Sequence, residues 1–68
     1  MKDLAKQLGA NIKAKRNEKG LAQDKFAELA DLDRSYVGRI ERGQVNITVD
    51  KLYALTKVLG CHARDLLP

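Results

Sequence analysis

The sequence predicts a small all-α fold, a single five-helix bundle spanning residues 1–68. Three observations predict it. Apolar residues recur at helical spacing along most of the chain, and no segment alternates with the period of two that marks a strand. Glycines at 9, 20, 38, 43 and 60 punctuate the helical stretches, and the only proline stands at 68. The length, 68 residues, gives one domain and not two. A chain this short buries about 60% of its unfolded surface, near the lower limit for a domain that folds alone. A partner subunit or a ligand therefore matters for this fold.

Leu4, Leu8 and Ile12 fall at i, i+4 and i+8 and give a first helix over about residues 3–18. Asp3 near its start and Lys19 near its end suit the helix dipole, and Gly20 supplies a left-handed stop. Gly9 lies inside this helix at a cost of up to ~1 kcal/mol, and close packing is the only reason the sequence offers. A second helix, about 22–30, carries Phe26, Leu29 and Ala30 on one face. Asp31-Leu32-Asp33 reads as a tight turn, with Leu32 plugged into the core and Asp33 as N-cap of the next helix. That third helix, about 34–42, ends at Gly43, and a loop from Gln44 to Ile47 follows. Thr48 caps a fourth helix with Asp50 in its first turn. It carries Val49, Leu52, Tyr53, Leu55, Val58 and Leu59, and Gly60 stops it. The tail from His62 allows a fifth helix of one to two turns, ending before Pro68.

Thirteen basic and nine acidic residues give a net charge of +4 and a pI of about 9.5. This moderate bias suits a polyanionic partner. A single cysteine makes neither an internal disulfide nor a zinc cluster, so the chain reads as built for a reducing compartment. No apolar run approaches the ~20 residues that cross a bilayer, and the N-terminus lacks a signal-peptide core. The expectation is a cytoplasmic protein with no membrane contact. Asp31-x-Asp33-x-Ser35 opens like a calcium loop, but Tyr36 stands where that loop needs glycine and Arg42 where it needs glutamate. Cys61 and His62 are neighbours on a turn and point apart, and Cys61 reads as a core residue. With no phosphate-binding glycine loop and no metal-ligand spacing, no catalytic residue, metal, cofactor or small-molecule ligand is expected.

Residues 23–43 carry the informative pattern: helix, short turn, helix. At about 100° per residue, with Arg34 at 0°, Ser35, Gly38, Arg39 and Arg42 fall near 100°, 40°, 140° and 80°. Val37 and Ile40 fall near 300° and 240° on the same scale of about 100° per residue. One face is apolar and the opposite face is basic. Gly38 sits mid-arc, where an interior glycine costs ~0.8–1 kcal/mol relative to alanine. It makes sense where another body approaches the backbone closely, and the major groove of DNA admits one helix. Arginine forks onto guanine or onto phosphate. The competing reading is a solvated charged face on an ordinary bundle helix.

These residues resemble the Cro/phage-repressor type helix-turn-helix of the XRE family of bacterial regulators. The matching residues are Arg16, Gly20-Leu21, Gln23, Phe26-Ala27 and Leu29-Ala30, then Ser35-Tyr36-Val37 and Arg39-Ile40-Glu41-Arg42-Gly43, with Asn46, Leu52 and Leu59-Gly60. The match runs from about residue 8 to 67, and small stand-alone regulators and restriction–modification controller proteins are similar in length. Ala22 departs from the family's Ser or Thr, Asp31 from its turn glycine, Ile47 from proline and His62 from serine. These departures touch local stability and one backbone contact.

The resemblance implies a phage-repressor-like domain, with its helix-turn-helix at about 23–42, that binds double-stranded DNA. It implies that Gln23 holds a phosphate and braces the third helix. Tyr36, Gln44 and Asn46 match positions that often touch phosphate. A half-buried Tyr36 ring with a wet hydroxyl and an Asn46 that caps its loop are the alternatives. Base readout then falls to Arg34, Ser35 and Arg39, with Gly38 letting the helix sit deep, and Arg42, one turn on, holds backbone. Glu41, at the edge of the core face, and Arg16, one turn after Ile12, form a buried ion pair that the resemblance supports. Val49, Tyr53, Val58, Cys61, Leu66 and Leu67 exceed what one small core needs, so a homodimer through the C-terminal helices is expected. The function read is a sequence-specific regulator binding an inverted repeat as a dimer. A protein-interaction module or antitoxin-like partner of the same fold, and a nonspecific DNA binder, remain the alternatives.

Overall fold

A computed structural model describes residues 3–68, and every regular element among them is helical. Helix α1 spans Leu4–Glu18, α2 Gln23–Leu29, α3 Arg34–Glu41 and α4 Val49–Leu59. A 3₁₀ turn, Ala63–Asp65, follows. Asp3 caps α1 by accepting the Lys6 amide at 3.0 Å, and Thr48 caps α4 by accepting the Lys51 amide at 3.3 Å. Gly60 ends α4 in the left-handed conformation, φ 65°. Ala22 opens α2 with no side-chain cap.

Side chains from all four helices meet in one core: Ile12, Phe26, Ala27, Val37, Ile40, Leu52, Leu55 and Leu59, with Leu66 from beyond the 3₁₀ turn. The α3 helix packs on both α1 and α2. Gly9 explains how close the first crossing is. A β-carbon there would overlap the carbonyl oxygen of Ile40 and lie 2.8 Å from that of Glu41. The helix thus accepts a glycine so that α1 can lie on the C-terminal backbone of α3.

Five expectations need correction. The fifth helix is a single 3₁₀ turn, so the bundle has four α-helices. Leu66 is fully buried, and its carbonyl accepts the Asn11 side chain at 2.7 Å, which anchors the tail on α1. Pro68 contributes no amide donor to extend the turn. Leu66 is therefore core and not spare apolar surface. The Asp33 carboxylate stands at the N-cap of α3 but bonds no helix amide; it accepts the Ser35 hydroxyl at 2.7 Å instead. Leu29 is 52% exposed, because Phe26, Ala27 and Ala30 already fill the narrow inner face of α2. Leu4, at the open end of the α1 stripe, is exposed as well.

The turn from α2 to α3 places Asp31 at φ 57°, the only non-glycine residue with positive φ among the described residues. Leu32, half-buried, packs against the core from this turn. The left-handed backbone is thus present where the residue is an aspartate, a type that tolerates it.

Candidate nucleic-acid interface

The interface is set from beneath by Arg16 and Glu41. Arg16 Nε donates to Glu41 Oε2 at 2.7 Å and its Nη2 to Oε1 at 3.0 Å. Its Nη1 donates to the Leu21 carbonyl at 2.8 Å. The two side chains are 10% and 3% exposed. The fork occupies both carboxylate oxygens and joins α1 to the last turn of α3. Burial of such a pair is tolerable because the remaining polar atoms are bonded, and among the described residues no buried side-chain polar atom lacks a partner.

Gln23, first residue of α2, adds to this network. Its amide nitrogen donates to Glu41 Oε1 at 3.0 Å. That bond fixes which end of the amide faces the carboxylate, since the amide oxygen there would face another acceptor. One N–H of the amide is left over. Gln23 and the Arg42 guanidinium cover Gly38: a β-carbon on Gly38 would lie 3.1 Å from Arg42 Nη1 and 3.6 Å from Gln23 Oε1. Gly38 is buried, and the ends of these two side chains border the place of its missing β-carbon. The sequence assigned that space to DNA.

Gln23, Asp33, Arg34, Ser35, Gly38, Arg39 and Arg42 line one open concavity of about 520 Å³. Arg34, Ser35, Arg39 and Arg42 are exposed. Three guanidinium groups and one hydroxyl therefore share a face of α3 with a single carboxylate, Asp33. Arg42 Nε donates to Gln44 Oε1 at 3.2 Å, which carries the polar surface past the end of α3. Asn46 is exposed in the following loop and is not part of the concavity. Tyr36 is half-buried, with the Arg39 guanidinium and the Lys51 ammonium each 5.7 Å from its ring centre. Such contacts orient both cations weakly. Sequence reasoning missed Asp33 as a lining residue and Lys51 as a neighbour of Tyr36. Lys51 comes from α4, and nothing local in the sequence signals a contact made by tertiary packing.

A second surface feature lies on α4. Leu29, Ala30, Val49, Tyr53, Ala54 and Val58 line a concavity of about 440 Å³, bordered by Asp31, Asp50 and Lys57. Val49 is 70% and Tyr53 56% exposed. Cys61 is half-buried against the core; burial pushes its thiol up from the ordinary value of 9.0, and Asp65 adds to the shift against Lys15 and Lys19. Among the described residues no group of His, Cys, Asp or Glu is arranged to hold a metal ion, and no helix is long and apolar enough to cross a membrane.

Comparison with known proteins gives one consistent result. The profile of the helix-turn-helix family HTH_3 matches residues 12–66. The chain is similar to the control protein C.SmaI of Serratia marcescens, 35% identical over 65 residues that cover 96% of this chain and 77% of that protein. In structure it is similar to the restriction-modification controller protein C.AhdI from Aeromonas hydrophila: TM-score 0.89, 42% identity, 96% of this chain and 97% of that one. It is also similar to the DNA-binding domain of BldD, with TM-score 0.87 and 35% identity over the full length of both chains.

Proposed function

We propose a function from one premise: the chain belongs to the HTH_3 helix-turn-helix family. It is a DNA-binding transcriptional regulator. It acts in the cytoplasm as a homodimer on an inverted-repeat operator, in the manner of the restriction–modification controllers it resembles, with α3 in the major groove. The observation that carries the reading is the basic face of α3, Arg34, Ser35, Arg39 and Arg42 on one concavity, above a helix held from below by Arg16. Arg39, from the middle of α3, reads guanine, and Arg34 and Ser35 read neighbouring base edges. The Ser35 hydroxyl proton is given to Asp33, so toward DNA it acts as an acceptor. Gly38, with no side chain of its own, lets α3 sit deep in the groove. Gln23, through its spare N–H, and Tyr36, Arg42, Gln44 and Asn46 hold phosphates and fix register.

The apolar surface of α2 and α4 supports the dimer. Leu29, Val49, Tyr53 and Val58 present a connected apolar area, and its border carries both Asp31 and Asp50 and the oppositely charged Lys57. A two-fold contact pairs such a border with itself. The protomer measures 33 × 23 × 21 Å. Two copies side by side suit half-sites about 34–36 Å apart, one turn of DNA.

Selection of duplexes from a random library by the wild-type protein tests the reading. Enrichment of an inverted repeat with half-sites one turn apart is expected, and equal recovery of all sequences refutes specific regulation. Sedimentation at tens of micromolar that finds only a species of 7.6 kDa, with one protomer per operator, refutes the dimer.

A further inference from the structure

We infer that Lys6 is a further phosphate-binding residue, which holds the DNA backbone just beyond the C-terminal end of α3. This role rests on the DNA-binding reading above. Gly43 is the residue that follows the cap of α3, at φ 73°. A β-carbon on it would lie 2.5 Å from Lys6 Cγ, 2.6 Å from Lys6 Cα and 2.8 Å from Lys6 N. The first turns of α1 are therefore seated directly on the backbone that leaves α3. That seat is rigid. The same two helices are locked by Gly9 against the carbonyls of Ile40 and Glu41, and by the Arg16–Glu41 fork.

The Lys6 stem starts on the residue that separates Arg42 from Gln44, the two side chains that extend the basic face past α3. Lys6 is exposed and forms no ion pair among the described residues, whereas Lys15 pairs with Glu18 and Lys25 with Glu28. Its charge is thus unspent at the edge of the proposed interface. A lysine ammonium on a flexible stem suits a phosphate, which it binds as a point charge with no dependence on base. The helix-turn-helix motif itself does not include this residue. It enters the interface because the first turns of α1 pack on the backbone at Gly43.

Salt dependence of binding separates this role from a structural one. The full chain is titrated onto a labelled duplex of mixed sequence from about 50 to 200 mM salt, where each neutralised phosphate adds about 0.9 to the slope of log K against log salt. Lys6→Gln is expected to lower the slope by about 0.9 and weaken binding about eightfold near 0.1 M salt. Lys6→Arg should keep the wild-type slope. Lys19→Gln is the control. It lies roughly 20 Å away at the other end of α1, where its ammonium is 3.6 Å from the place of a Gly60 β-carbon. It should leave the slope unchanged. An unchanged slope for Lys6→Gln, or an equal loss for Lys19→Gln, overturns the assignment. If the wild-type protein fails to bind any duplex, the DNA-binding reading itself falls, and the assignment with it.

Discussion

Removing Arg16 is the perturbation with the largest expected effect on the fold. In Arg16→Met, Glu41 loses two charge-assisted hydrogen bonds, at 2.7 and 3.0 Å, and keeps only the one from Gln23. The Leu21 carbonyl loses its side-chain partner. Glu41 is buried, with its side chain 3% exposed, so water cannot replace what is lost. Breaking one side of a buried pair costs about 3–5 kcal/mol. A chain of 68 residues has about 3–10 kcal/mol of stability in all. Arg16→Met is therefore expected to lower the thermal midpoint by 12 °C or more, at about 4–8 °C per kcal/mol. Glu41→Ala, which strands the guanidinium, should behave alike.

Far-UV circular dichroism melts at low and high salt measure this. Because the pair is buried, the loss should hardly change with salt. The exposed Lys25–Glu28 pair is the internal comparison, with side chains 58% and 70% exposed. Lys25→Ala should cost under about 0.5 kcal/mol. The double variant Arg16→Met/Glu41→Leu replaces both partners with apolar groups and should recover much of the loss. Single variants that shift the midpoint by less than about two degrees, when 3–5 kcal/mol is at stake, refute the argument.

Other outcomes follow from the site. Arg39→Ala should cost about 1–3 kcal/mol on the selected operator and relax preference at one base pair per half-site, whereas Gln23→Ala should weaken all sequences alike; binding of each variant to an operator library checks this, and the reverse pattern refutes it. Asp33→Asn removes the one carboxylate from the α3 concavity and should tighten DNA binding, more at low salt than at high, by gel shift. Asp31→Gly relieves the positive φ of 57° and should raise stability by about 0.5–1 kcal/mol in a urea melt. The raised Cys61 thiol, held neutral chiefly by burial and then by Asp65, should alkylate more slowly at neutral pH than the unfolded chain. Its folded value lies above the unfolded one, so the stability it contributes is complete below the ordinary 9.0 and is lost as pH rises through the raised value. Cys61→Ala melts compared with wild type across that range should show the difference.

The first and fourth helices were legible because their caps and stops act locally. Thr48 accepts the Lys51 amide, Asp3 accepts that of Lys6, and Gly60 turns left-handed. The basic arc of α3 was legible from angle alone, since a helix this regular keeps its faces. Part of what escaped depends on partners far along the chain. Gly9 has no local reason, and its reason is the backbone of Ile40 and Glu41. The tail stops after one 3₁₀ turn, where the Leu66 side chain enters the core and its carbonyl takes the side chain of Asn11, 55 residues away. Gly38 was read as room for a close approach from outside, and the ends of the Gln23 and Arg42 side chains border the same place. Leu29 was placed inside by spacing, but two alanines beside Phe26 leave an inner face too narrow to need it.

The Arg16–Glu41 pair raises a question of economy, since an apolar pair of similar volume holds two helices at least as well. The answer lies in the third partner. Glu41 Oε1 receives both Arg16 and the Gln23 amide, so the carboxylate that ties α3 to α1 also sets the orientation of the first side chain of α2. An amide held by a neutral or apolar floor turns over freely, and then presents an acceptor to a phosphate half the time. The charge beneath it removes that choice and leaves a donor available on the outer side. Stability and the proposed phosphate contact are therefore separable at this point in the chain. The double variant Arg16→Met/Glu41→Leu should melt close to wild type while binding every duplex more weakly, as Gln23→Ala does. If it binds as well as wild type, the buried charge serves the fold alone.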